Sequence, residues 1–160
     1  MKYIPLLIAA MLAAGGAEAW ACTNLLAGKK ATTDGSVMVT YAADSHNLFG
    51  ELINTPAADH PKGAMRRVIE WDTSKPLGEI PEVAHTYNVV GNINEHQVAI
   101  GESTWGGRKE LQDTTGKSII DYGSLIQIAL ERSKTAREAI DVMTSLVEKY
   151  GYASSGESFS

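Results

Sequence analysis

The spacing of hydrophobic positions divides the chain into three stretches. Residues 4–17 carry no charge and are mostly Leu, Ile, Ala and Met. From residue 22 to about residue 105, short apolar and β-branched runs are separated by turn residues, the pattern of strands joined by loops. From residue 118 onward apolar positions recur at three- and four-residue steps, the period of helices.

Within the strand-like stretch, residues 23–27 are short and mostly apolar, and residues 36–41 (SVMVTY) alternate. Asp34-Gly35 lies between them, a dipeptide suited to a tight turn, so 23–41 reads as a hairpin. Residues 43–62 hold Asp, His, Asn and two prolines and read as loop, as do 75–82 with two more. Residues 66–71 (RRVIEW) read as a strand. Residues 87–90 and 97–100 flank 92–95 as a second hairpin, and the polar, glycine-containing segment 103–116 reads as a surface loop. Residues 118–132 predict a helix with a Ser118-x-x-Asp121 start, apolar over much of its girth and therefore buried. Thr135-x-x-Glu138 is a capping box for a second helix, whose apolar stripe runs from Ala136 through Met143 to Tyr150 and stops at Gly151. Strands followed by two helices predict an α+β fold.

The first stretch reads as an address rather than as structure. A charged start at Lys2, the apolar run, and small residues at Ala19 and Ala21 form a secretory signal, with cleavage expected after Ala21. Glu18 interrupts the run before it reaches the roughly 20 apolar residues a membrane span needs. The expected mature chain, residues 22–160, is exported, either secreted or periplasmic, with no membrane span. Its net charge of −5 speaks against nucleic acid, whose binding needs a basic face.

Cys22 is the lone cysteine of the 160 residues, which excludes an internal disulfide framework and multi-thiolate metal sites within them. Cleavage after Ala21 would make it the first residue. A free α-amine, with a pKa of about 7.7 to 8.0, then stands beside a thiol of about 8.5 and serves as its base. A rival reading is lipidation of the same cysteine, giving an anchored, non-enzymatic binding protein. Trp20 fits that signal poorly, because a small residue belongs there. Gly116-Lys117-Ser118 lacks the upstream glycine of a phosphate loop, since residue 111 is Leu. His46, His60, His85 and His96 lack the spacing of a metal site, so no metal and no cofactor are expected. Trp71 and Trp105 read as packing residues. For Asp34, Asp44, Glu95 and Glu102, spacing alone favours structural roles.

Cys22-Thr23, GKKATTDGS (28–36), TYAADSH (40–46), NEHQVAIGESTW (94–105), IDYGSLIQIALERSKTAREAI (120–140) and YGYASSGESFS (150–160) resemble the dipeptidase A and secernin type of cysteine peptidase. That group is similar to penicillin V acylases and bile-salt hydrolases of the N-terminal-nucleophile superfamily. The resemblance implies a four-layer αββα sandwich and hydrolysis of dipeptides by an N-terminal cysteine, without cofactor. It makes Cys22 the nucleophile and aligns Asp44 with an aspartate near it. The acylase relatives have an arginine three residues before that aspartate. Here that position is Tyr41, which favours the dipeptidase branch. The resemblance also implies that 94–104 lines an oxyanion or substrate pocket, with Ser103 and Thr104 as polar contributors and Glu102 meeting a substrate amine. Members are much longer, so the 160 residues read as an N-terminal part, inert alone if its remaining partners follow residue 160.

Overall fold

Asp34 and Gly35 close the first hairpin as their chemistry requires. The Asp34 carboxylate accepts the Ser36 N–H at 3.0 Å, and Gly35 takes the left-handed conformation at φ 75°. Strands β1 (Thr23–Ala27) and β2 (Met38–Ala42) pair antiparallel on either side, from Thr23 opposite Ala42 to Ala27 opposite Met38. The computed structural model describes residues 22–44, 50–113 and 115–160. The expected leader, residues 1–21, and His46 lie outside the described residues.

Beyond the hairpin come β3 (Asn54–Thr55), β4 (Ala58–Asp59), β5 (Met65–Ile69), β6 (Pro76–Pro81), β7 (His85–Thr86), β8 (Val89–Val90), β9 (Ile93–Asn94) and β10 (Glu102–Gly106). A short 3-10 turn at Lys109–Leu111 leads on to helices α1 (Tyr122–Arg132) and α2 (Ala136–Tyr150), and β11 (Gly156–Phe159) ends the order. Among the described residues the strands form small antiparallel sheets: β1-β2, β3-β8-β9, β4-β7, β5-β6 and β10-β11. Strands and helices thus mix as an α+β fold. No helix among the described residues is long and apolar enough to cross a membrane.

Several expected loops are strands. Residues 75–82 contain β6, which pairs with β5 from Met65 opposite Pro81 to Ile69 opposite Pro76. Pro76 and Pro81 sit at its two ends, the positions where a missing N–H harms a ladder least, and Ile80 is fully buried between them. The expected 43–62 loop includes β3 and β4, whose partners β8 and β7 lie about thirty residues downstream. The expected 103–116 loop begins within β10, because β11 supplies a partner more than fifty residues away. The second hairpin is displaced: its turn is at Gly91, with φ 55°, and β9 is the return strand, while Ala99 adds only a bridge to Ile93.

Helix α1 starts later than expected. Ser118 does not cap it; Asp121 does by position, but its carboxylate accepts the Trp71 N–H at 3.0 Å instead of a helical N–H. Residues before it run extended, and Ile120 bridges Tyr152. Leu125, Ile126, Ile128, Ala129 and Leu130 fill the core with Val68, Ile80, Val89, Val98 and Ile100 from the strands. Helix α2 begins as expected: Thr135 Oγ1 accepts the Glu138 N–H, and the Glu138 carboxylate accepts the Lys134 N–H at 2.7 Å. Its Ala139, Met143 and Leu146 pack on α1 and the core, and Gly151 ends it at φ 71°. Ion pairs lock α1 to the β5–β6 hairpin: Arg66 with Glu131, and Arg132 with Glu82 at 2.6 Å.

Candidate active site

Strand alternation brings the chemistry together. Asn24 pairs with Tyr41, so both project from one face of the β1–β2 hairpin, and Cys22, two residues before Asn24, follows that face. This face rests against Gly101 and Glu102. Gly101 is required there, because a Cβ would lie 2.7 Å from Asn24 Oδ1. Asn24 Nδ2 donates to the Glu102 carbonyl at 2.5 Å, which fixes the hairpin to the start of β10.

Glu102 is the hub, only 1% exposed. The Cys22 thiol donates to its Oε1 at 2.9 Å, and the Tyr41 hydroxyl donates to the same oxygen at 2.7 Å. The Thr104 hydroxyl reaches Oε2 at 3.4 Å, and the Ser103 hydroxyl donates to the Cys22 carbonyl. Across the β10–β11 ladder Glu157 stands opposite Thr104, on the same face as Glu102.

The electrostatics follow from this crowding. Burial pushes the Cys22 thiol above its ordinary value, and the Glu102 carboxylate adds to the rise by accepting its proton and by its charge. The backbone N–H groups of Asp44 and Thr104 act in the opposite direction. Burial first, then the Glu102 carboxylate, drives the Tyr41 hydroxyl far above its usual range, so it is a permanent donor. Glu157 is pushed up to about 7, by burial and then by its contact with Glu102.

Cys22, Glu102, Ser103 and Thr104 therefore converge in space. Asp44 is exposed, and its backbone N–H rather than its carboxylate acts on the thiol. Asp34 shapes a distant turn, and Glu95 accepts the Asn88 N–H at 2.9 Å, both structural tasks. Sequence reasoning treated Tyr41 only as a missing arginine and overlooked Asn24 and Glu157. Period-two alternation from Cys22 points to Asn24. Nothing local points to Glu157, whose placement depends on a long-range pairing.

The family model described as peptidase family C69 matches residues 21–160. The chain belongs to peptidase family C69. It is 29% identical over 161 residues to a probable dipeptidase A of Streptococcus pyogenes serotype M3 (strain SSI-1), covering 88% of this chain and 33% of that protein. Against a probable dipeptidase of Latilactobacillus sakei it is 29% identical over 157 residues, covering 85% of this chain and 32% of the relative. A probable dipeptidase A of S. pyogenes serotype M1 is 27% identical over 164 residues, covering 89% and 33%. The C69 chain thus spans about a third of the length of the curated relatives it matches. No solved structure matches it.

Proposed function

We propose that this C69 chain carries the nucleophile of an exported cysteine dipeptidase and forms part of an αββα N-terminal-nucleophile sandwich. The convergence of Cys22 with Glu102 and Tyr41, inside a peptidase-family match that begins one residue before Cys22, carries this reading. Removal of residues 1–21 frees the Cys22 α-amine. The neutral amine takes the thiol proton, and the thiolate attacks the carbonyl carbon of a dipeptide. Polar groups around Ser103 and Thr104 face the developing oxyanion. The tetrahedral intermediate collapses with cleavage of the C–N bond, and the leaving amine takes the proton from the Cys22 ammonium. Water then attacks the thioester and gives a proton back to the amine, and collapse releases the free acid and the thiol.

Glu102 recognises the substrate. The α-ammonium of a dipeptide is two bonds from the carbonyl under attack, so a nucleophile 2.9 Å from a buried carboxylate delivers that ammonium to it. None of the ion pairs among the described residues uses Glu102, which leaves its charge for a cationic ligand. N-blocked dipeptides are then poor substrates.

N-terminal sequencing and intact mass of the exported full-length protein test the reading, together with hydrolysis by Cys22→Ser. A start at Cys22 and a rate loss of about a thousandfold or more are expected. A start elsewhere, or a diacylglyceryl adduct that blocks the amine, overturns it.

A further inference from the structure

Glu157 is a half-buried acid with no role in the steps above, and it touches the residue that holds the thiol. Its Oε2 is closed to solvent and finds no donor among the described residues. On Glu102, Oε1 is filled by the Cys22 and Tyr41 donors, whereas Oε2 has only the long contact from Thr104. One carboxyl therefore has an unpaired oxygen and its neighbour has a vacant lone pair. The two side chains share a face of the β10–β11 ladder and lie within hydrogen-bonding reach.

Two carboxylates in contact, one buried and the other half-buried with one oxygen closed to solvent, do not both ionise readily. A single proton resolves both deficits, turning Glu157 into a donor to Glu102. We propose that Glu102 and Glu157 share one proton, so that the pair presents a single negative charge to Cys22, and that Glu157 is a positioning residue for that thiol. The inference rests on Cys22 as the working nucleophile.

No cationic side chain among the described residues pairs with the two glutamates; the cation the site acquires is the Cys22 α-amine freed by removal of residues 1–21, which titrates at about 7.7 to 8.0. Tyr41 of β2, Tyr122 at the start of α1 and Tyr152 ahead of β11 are all held neutral, and Asp121 adds another acid near Tyr152. Burial holds the Glu157 proton into the neutral range, to about 7. Above that pH the proton leaves, a second negative charge appears beside Glu102, and the thiol becomes harder to ionise. The pair is thus a brake on Cys22 that strengthens as pH rises through neutrality.

The test uses the full-length mature protein and the isosteric Glu157→Gln, which keeps a donor for Glu102 but has no proton to lose. Iodoacetamide alkylation is followed across pH, with modification of Cys22 located by peptide mass spectrometry. The expected wild-type profile has an inflection near neutrality from Glu157, below the step at about 7.7 to 8.0 that the Cys22 α-amine gives in both proteins. In E157Q that inflection is lost, and alkylation between pH 8 and 9 is severalfold faster. Superimposable profiles overturn the proposal. Infrared difference spectra of the wild-type protein read the same proton without substitution: a buried protonated-carboxyl band that disappears near neutral pH is expected, and its absence overturns the proposal. Failure here is distinct from failure of Cys22 as nucleophile, because the latter shows as retained hydrolysis by Cys22→Ser whatever the alkylation profile.

Discussion

Replacing Asn94 by Ala removes a side chain that closes a helix from outside the helix. Asn94 is 5% exposed and uses its amide completely. Nδ2 donates to the carbonyls of Leu130 and Ser133, each at 2.7 Å, and Oδ1 accepts the N–H groups of His96 and Val98, each at 3.0 Å. The two carbonyls belong to the end of α1, where intrahelical donors run out. Each such bond contributes about 1 kcal/mol net, and a buried group left without a partner costs about 1–3 kcal/mol. Water entering the small void recovers part of the loss. The expected destabilisation of Asn94→Ala is about 3–4 kcal/mol.

Urea unfolding of the full-length protein, read by circular dichroism and by tryptophan fluorescence, measures this. Asn94→Asp is a sharper variant. It keeps the acceptors for His96 and Val98 but sets a carboxylate oxygen against two carbonyls, so it is at least as damaging as Ala. Asn92→Ala is the control. Asn92 is half-buried and makes one such bond, to the Ile100 carbonyl at 2.9 Å, so its loss is about 1 kcal/mol. A loss below about 1 kcal/mol for Asn94→Ala, or Asn94→Asp milder than Ala, refutes the view that Asn94 joins α1 to the β-layer.

Gly123→Ala places a Cβ 2.5 Å from Trp71 Cβ and 2.6 Å from its Cγ, where α1 crosses the end of β5. Overpacking of about 1–3 kcal/mol exceeds the helix-propensity gain of about 1 kcal/mol; a lowered urea midpoint is expected, and a raised one contradicts the close approach. Burial raises the Glu82 carboxyl, but the Val83 N–H and the Arg132 and Arg66 guanidiniums outweigh it and hold the group below its ordinary value. Glu82 therefore adds stability above its unfolded pKa of about 4.3, lost as pH falls through the folded value. Glu82→Gln should flatten the stability profile below about pH 4, measured by urea midpoints across pH, and an unchanged slope refutes the assignment.

How much of this was legible depended on the range of the interaction. Asp34-Gly35 and Thr135-x-x-Glu138 act through backbone groups two to four residues away, and both form where the sequence placed them. Strand β6 was hidden because its two prolines argue for a loop only if they are interior; Pro76 and Pro81 are terminal, and the burial of Ile80 decides the strand. Strand β10 was hidden because its partner follows both helices. The same reason conceals Glu157, whereas Cys22 announces itself as the lone thiol at an expected cleavage point.

The segment NEHQVAIGESTW shows how a motif divides its labour. The resemblance implied that residues 94–104 line part of a pocket, while their pattern read as a hairpin. Asn94 at its start instead ties down the end of α1, while Glu102, eight residues on, receives the Cys22 thiol. Between them Val98 and Ile100 are buried in the core, so the connecting segment cannot slide without disrupting packing. The position of Glu102 is thereby set by a helix terminus and a core rather than by the site's own hydrogen bonds. A substitution at Asn94 should therefore disturb Cys22 reactivity as well as stability, although its side chain touches no residue of the site. Cys22 alkylation in folded Asn94→Ala, compared with wild type at the same pH, reads that coupling directly; an unchanged rate would mean that the β1–β2 hairpin and Glu102 hold each other in place without help from α1.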